Sequence, residues 1–254
     1  MNKHLKPLLR GLMPRAIRPH RILRGPLRGQ RIVTSWHDYP AAILGYTESP
    51  LLDWFARNVA SGETWLDVGA HYGYTSIALS RLVGEGGRTF AFEPVSSTAG
   101  YLAQTRMLNH LPQLKVLPIA LGAPEQLELR QLAQVRGMAD STLKSRQWVD
   151  TFLLARFDWL WPRICGPQDR IHGIKIDVQG MEIEVLKGMP NLLKLYGPKL
   201  AIEFHQGVVR EQALDLIEAA GYSRSGVPIE PVQGEIAPQY VDDRSYAFQK
   251  LRTS

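Results

Sequence analysis

The stretch TWLDVGAHYGYTS, Thr64–Ser76, decides the fold. Trp65, Leu66 and Val68 make an apolar run that closes on an acid, Asp67. Gly69 and Gly73 follow four apart with Ala70 between them, and a helix-like run begins at Tyr74. A strand that passes through a glycine turn into a helix lets a ligand lie against the backbone of the turn.

Outward from this unit the pattern repeats. Residues 48–60 place Leu51, Leu52, Phe55 and Val59 on one helical face. ETWLDV reads as a strand and Tyr74–Val83 as a helix. RTFAFE (88–93) is the second strand, Ser97–Leu108 a helix, and LKVLPIAL (114–121) a third strand. Residues 122–168 are less regular: LELRQL reads as a strand, VRGMADSTLKS as a loop, and VDTFLLARFDWLW as a strand or a lid. The alternation resumes with GIKIDV (173–178), a helix over 180–189, KLAIEF (199–204) and a helix over Glu211–Ala220 closed by Gly221. Two further strands are expected near 222–229 and 245–251. This alternation predicts an α/β fold with a single doubly wound, mostly parallel sheet.

In such sheets the ligand sits beyond the carboxyl ends of the strands. Four expected strand ends carry acids: Asp67, Glu93, Asp177, and Glu203 with His205 beside it. Burying a carboxylate costs several kcal/mol unless it is paired or hydrogen-bonded, so four at one edge point to a ligand. A dinucleotide calls for Gly-x-Gly-x-x-Gly, and the spacing Gly69–Gly73 departs from it. S-adenosylmethionine suits acids better, with an ammonium and ribose hydroxyls to be held. Glu93 lies 24 residues after Gly69, near the ~20 expected of a ribose-binding acid, although that acid alone does not separate the two ligands.

WLDVGAHYGYTSIAL, FAFEP, RMLN and IKIDVQGMEIEVLKGM, in that order, resemble the FkbM family of S-adenosylmethionine-dependent methyltransferases over about 60–205. The glycine turn is also similar to that of catechol O-methyltransferase. The resemblance implies a class I, Rossmann-like methyltransferase domain that methylates hydroxyls, often of sugars or polyketides. It places Asp67, Gly69, Ala70, Gly73 and Glu93 around the cofactor, and Asn109 on a position that ends a helix. His71, inside the turn, is expected to contact cofactor or acceptor, and Asp177 to lie beside the same pocket. Gln179 stands where the family has an acid. A magnesium site using that position would lose a charge, and no metal is expected, although a divalent ion on Asp177 remains an alternative.

Methyl transfer to an alcohol needs alignment and a base to take the proton. The candidates are His205, His71, Asp177 and Glu182. His205 is the first choice, because its unperturbed pKa lies near neutrality; Asp177 would orient it or hold metal. Glu182 reads equally as an acid at a helix N-terminus. Gly137–Lys144 is expected to cover the acceptor, with Met138, Asp140 and Ser141 facing it. Trp148, Trp159 and Trp161 stand nearby, either to stack on a glycan or to pack in the core.

The 254 residues are 44% hydrophobic, enough for one large domain with an extension. There is no apolar run of membrane-spanning or signal-peptide length, and the single cysteine, Cys165, excludes an intrachain disulfide and a thiolate zinc site. The chain reads as cytoplasmic. Its net charge of +6 is uneven: residues 1–31 hold nine Lys and Arg and no acid, leaving residues 32–254 with 21 basic side chains against 24 acidic ones. Residues 1–36 are therefore read as a basic, Pro-rich arm preceding a methyltransferase domain over 37–254. Prolines 7, 14, 19 and 26 forbid one long helix, while Leu5, Leu8, Leu9, Leu12 and Met13 allow a short amphipathic one. Such an arm packs on the body, meets an anionic membrane or a phosphorylated partner, or directs the chain to an organelle. The positive charge is not on the domain itself, which argues against nucleic acid. A sugar, glycan or small-molecule hydroxyl is the expected acceptor. An N- or RNA methyltransferase, a non-catalytic homologue and a nucleotide-dependent oxidoreductase are the alternatives.

Overall fold

The computed structural model describes residues 13–140, 149–166 and 169–251. Leu5, Leu8, Leu9 and Leu12 of the expected amphipathic helix, together with Ser141 and Trp148, lie outside them.

Seven strands form the central sheet: β3 (Thr64–Val68), β4 (Arg88–Phe92), β5 (Leu114–Leu117), β10 (Gly173–Ile176), β11 (Lys199–Phe204), β12 (Val227–Pro228) and β13 (Arg244–Phe248). Their order is β12-β13-β11-β10-β3-β4-β5. β11, β10, β3, β4 and β5 are mutually parallel, and β13 is antiparallel to β11. From β3 the chain moves outward to β4 and β5, then crosses back to β10 on the other side. The strand order therefore reverses between β3 and β10, where a ligand crevice opens.

The central strands are buried on both faces, with their side chains alternating between two cores. Leu66 and Val68 of β3, Phe90 and Phe92 of β4, and Ile174 and Ile176 of β10 pack with α5 (Phe157–Ile164), α6 (Glu182–Lys187), α7 (Pro190–Tyr196) and α8 (Arg210–Ala219). Trp65 and Ala91 face α2 (Ser49–Asn58), α3 (Tyr74–Val83) and α4 (Ser96–Leu108). α1 (Pro40–Leu44) adds Ala42 and Ile43 to this second core.

Three expectations are corrected. LKVLPIAL is not one strand: Pro118, which has no N–H to give a ladder, separates β5 from β6 (Ile119–Gly122). β6 joins β7 (Glu128–Val135), β8 (Met138–Asp140) and β9 (Val149–Arg156) in a second sheet of order β6-β9-β7-β8. The expected loop VRGMADSTLKS thus contains a hairpin turn at Arg136 (φ 50°) and Gly137 (φ 76°), both left-handed as a tight hairpin requires. The aromatic stretch after β9 is helix α5, where Trp161 is buried against Phe90 and Phe157.

The second half of the arm folds onto the body. β1 (Arg18–Arg21) pairs with β2 (Arg31–Thr34), and Ile22, Leu27 and Ile32 enter the second core. Asn109, at the end of α4, locks this hairpin in place. Its Oδ1 accepts from Arg31 N at 2.7 Å and its Nδ2 donates to Arg31 O at 2.6 Å. Among the described residues no helix is long and apolar enough to cross a membrane.

Candidate active site

The glycine turn is built by close approach. Gly69 has φ 82°, and a Cβ there would lie 1.7 Å from the carbonyl oxygen of Asp177, so nothing larger fits between β3 and β10. At Gly73 a Cβ would meet Leu102 Cδ1 at 2.1 Å. Four N–H groups of the turn are already used. Gly69 N and Ala70 N both donate to Phe92 O at 3.0 Å, His71 N donates to Glu93 Oε2 at 2.8 Å, and Gly73 N donates to Ala70 O. A pyrophosphate needs such groups free, and the Gly69–Gly73 spacing already departs from the dinucleotide pattern.

Asp67 lies beneath the turn and does not face the cavity, contrary to the expectation that it touches cofactor. It is fully buried and its Oδ2 accepts from Thr75 and Ser76 at 2.8 and 2.5 Å, which anchors the start of α3. Its Oδ1 meets Lys175 Nζ at 3.2 Å. Lys175, in the middle of β10, was not singled out in the sequence, where it reads as one polar residue in an apolar strand. It is 3% exposed, pairs also with Asp177 Oδ2 at 3.2 Å, and donates to Gly69 O at 2.9 Å. Burial alone would lower the pKa of this ammonium. The carboxylates of Asp177 and Asp67 outweigh that and hold it above the ordinary lysine value.

A cavity of about 230 Å³ opens above these strand ends. Gly69, Ala70, His71, Glu93 and Asp177 line it, as expected; Gly73 does not. Val68, Phe92, Ile119, Leu121, Met138 and Phe152 give it an apolar side, and Asp38, Glu48 and Glu203 add three carboxylates to its rim. Burial pushes Glu93 up to about 8, although its oxygens accept from His71 N and Val95 N. Burial also pushes His71 down to about 4, leaving a neutral ring whose Nε2 donates to Arg136 O at 3.0 Å. Thr98 donates to Gly137 O at 2.7 Å. The tip of the β7–β8 hairpin is thus docked on the glycine turn as a roof over the cavity, and Met138 lines this first cavity. Trp159 and Trp161 are not on the cavity wall.

His205 and Glu182 also stand behind the wall. His205 Nδ1 meets Glu182 Oε1 at 2.7 Å, and its Nε2 lies 3.4 Å from Asp177 Oδ1 and 3.5 Å from Glu203 Oε1. Burial opposes the charge on His205, but the bond to Glu182 and the charges of Asp177 and Glu203 raise its pKa to about 9. Asp177, Glu203 and His205 offer ligand atoms within 4.8 Å of one another, a donor set able to hold a divalent cation. The side-chain amide of Gln179 reaches the same space, 2.8 Å from His205 Nε2 and 3.5 Å from Asp177 Oδ1.

A second cavity, of about 240 Å³, adjoins the first. Glu48 and Glu203 line both. Thr47, Ser49, Glu230, Asp243 and Ser245 complete a mostly polar wall. Glu203 is pushed up to about 8 by burial and by the neighbouring Asp177 and Glu48 charges. Glu48 is raised for the same reasons. Glu203 is one of the four strand-end acids that the sequence points to, whereas Glu48, an acid well before β3, gives no local sign of converging with it.

Residues 67–224 match the model of the methyltransferase FkbM domain. The chain belongs to the FkbM methyltransferase family. It is an S-adenosylmethionine-dependent methyltransferase with a class I, Rossmann-like fold. Among solved structures, an FkbM methyltransferase from Methylobacillus flagellatus KT is similar at 16% identity and a TM-score of 0.50. The match covers 82% of this chain and 52% of that one, so the FkbM chain here spans about half the length of that relative. A putative rRNA methylase from Clostridium thermocellum (12% identity, TM-score 0.48, 80% of this chain and 95% of that one) and an O-methyltransferase from Thermotoga maritima (13%, 0.48, 93% and 80%) are also similar. At these identities the likeness is one of fold. No curated protein matches the sequence.

Proposed function

We propose that this FkbM methyltransferase methylates a hydroxyl of a sugar or related polar small molecule held in the second cavity, with Glu203 taking the proton. The observation that carries the reading is the position of Glu203 in the wall between the two cavities. S-adenosylmethionine, when bound, supplies a methyl group already activated on a sulfonium. The first cavity suits it: Asp177 and Glu48 offer negative charge to its cationic end, Glu93 an acceptor to its ribose, and Phe92, Ile119 and Leu121 an apolar surface to its base. Glu203 accepts the acceptor hydroxyl's proton. Its raised pKa places it near the operating pH, where a general base is most effective. His205 acts through Glu203 and Asp177 as a positioning residue, and Glu182 fixes its ring. The hydroxyl and carboxyl groups of the second cavity suit a polyhydroxyl acceptor.

A second reading has one observation in its favour. Glu48, Glu203, Glu230 and Asp243 converge on the second cavity, which suits an amine and hence N-methylation. Turnover of methyl-labelled cofactor against panels of sugars, aminosugars and amines separates the two. Glu203→Gln is expected to lower turnover by ~10²-fold or more with cofactor affinity nearly unchanged. Wild-type turnover in Glu203→Gln, together with loss in His205→Gln, would instead make His205 the base. Loss on chelation with recovery in magnesium would give the Asp177–Glu203–His205 cluster to a metal.

A further inference from the structure

We propose that the β1–β2 hairpin is a docking surface for an anionic lipid membrane and sets the mouth of the second cavity beside that surface. The hairpin exposes Arg15, Arg18, Arg21, Arg24, Arg28 and Arg31, and no acid occurs between residues 13 and 37. Arg88, Arg130, Arg210, Arg224 and Arg244 each hold a carboxylate, whereas among the described residues none of the six hairpin arginines does. Buried Ile22, Leu27 and Ile32 and the Asn109 clamp make the hairpin a fixed platform rather than a loose tail.

Apolar side chains stand at the same edge. Leu23 N donates to Ile43 O, and Gly25 packs against the backbone of Gly45. This contact brings Leu23, 49% exposed, and Tyr46, 63% exposed, to one side of the molecule. Tyr46 also lines the second cavity. Guanidinium groups beside an exposed leucine and tyrosine match the interface of an anionic bilayer, where charge and apolar contact act together. RNA fits less well, since Glu48, Glu203, Glu230 and Asp243 would repel a phosphate chain entering that cavity.

The test uses the full chain and flotation with phosphatidylcholine vesicles, either pure or containing about 30% phosphatidylglycerol. The wild type is expected on the anionic vesicles only, and to leave them between ~0.1 M and ~1 M salt as screening shortens. At roughly fivefold per cation, the Arg18→Gln, Arg21→Gln, Arg24→Gln, Arg28→Gln variant should lose at least ~100-fold in partition. A control with Arg57→Gln, Arg81→Gln, Lys115→Gln and Arg163→Gln removes as many exposed cations elsewhere and should bind as the wild type does. Phenylglyoxal footprinting of the wild type gives a second readout that needs no variant: anionic vesicles should protect Arg18, Arg21, Arg24 and Arg28 but not Arg57 or Arg81. Equal binding to both vesicles, wild-type binding by the hairpin variant, absence of protection, or tighter binding to RNA at matched phosphate and salt would overturn the proposal. Cofactor titration of the same samples reads the methyltransferase site separately.

Discussion

Replacing Lys175 with methionine should be the most destabilising single change near the site. The ammonium lies 3.2 Å from Asp67 Oδ1 and 3.2 Å from Asp177 Oδ2, and it donates to Gly69 O. At an effective dielectric of about 20 each ion pair is worth ~5 kcal/mol before desolvation, and desolvation of the ammonium takes much of that back. Loss of the cation leaves Asp67, fully buried, without a counter-charge. The expected cost is therefore the ~3–5 kcal/mol typical of breaking a buried pair from one side. For a chain of this size that lowers Tm by roughly 6–20 °C. Urea and thermal unfolding followed by circular dichroism measure it. The double variant Lys175→Met with Asp67→Asn should recover at least ~1 kcal/mol of the loss, because the orphaned charge is gone while the amide oxygen still accepts from Thr75 and Ser76. A single variant within ~1 kcal/mol of wild type, or a double variant whose loss equals the sum of the singles, would refute the reasoning.

Glu93→Ala should weaken binding of S-adenosylhomocysteine by about 1–3 kcal/mol, read by calorimetric titration, since a hydrogen-bond acceptor is lost; an unchanged Kd removes Glu93 from the ribose site. Stability without ligand should fall as pH rises from about 6.5 to 9. His205, raised to about 9, contributes stability that is complete below its unfolded value near 6.5 and lost through its folded one. Glu203 and Glu93, both raised to about 8, bind a proton more tightly in the fold, and that contribution is lost as pH rises from their unfolded value of about 4.5 through about 8. Below pH 6.5 His71, lowered to about 4, acts in the opposite sense, because the unfolded chain takes up its proton first. A urea midpoint that rises steadily from pH 6.5 to 9 would contradict these three environments.

The sequence by itself determined the βαβ alternation, because periodicity and glycine turns are local properties of the chain. Helix Tyr74–Val83 and strand Lys199–Phe204 lie where they were read, and the ordered motifs lead to the FkbM family. The same local signals placed Gly69, Ala70, His71 and Glu93 at one strand-end edge. Only the tertiary structure decided which side of a wall each group occupies. Asp67 faces down onto Lys175 because β10 runs beside β3, a contact 108 residues apart along the chain. His205 is turned away from the cavity by Glu182, and Glu203 gains its place between two cavities from Glu48, far away in sequence. The second sheet escaped the reading because β6, β7, β8 and β9 form it by pairing across the chain, with no helix between them to set a period. The arm shows the same division. Its arginines and prolines are visible in the sequence, but Ile22, Leu27 and Ile32 make a folded platform only once α4 and Asn109 are there to receive them.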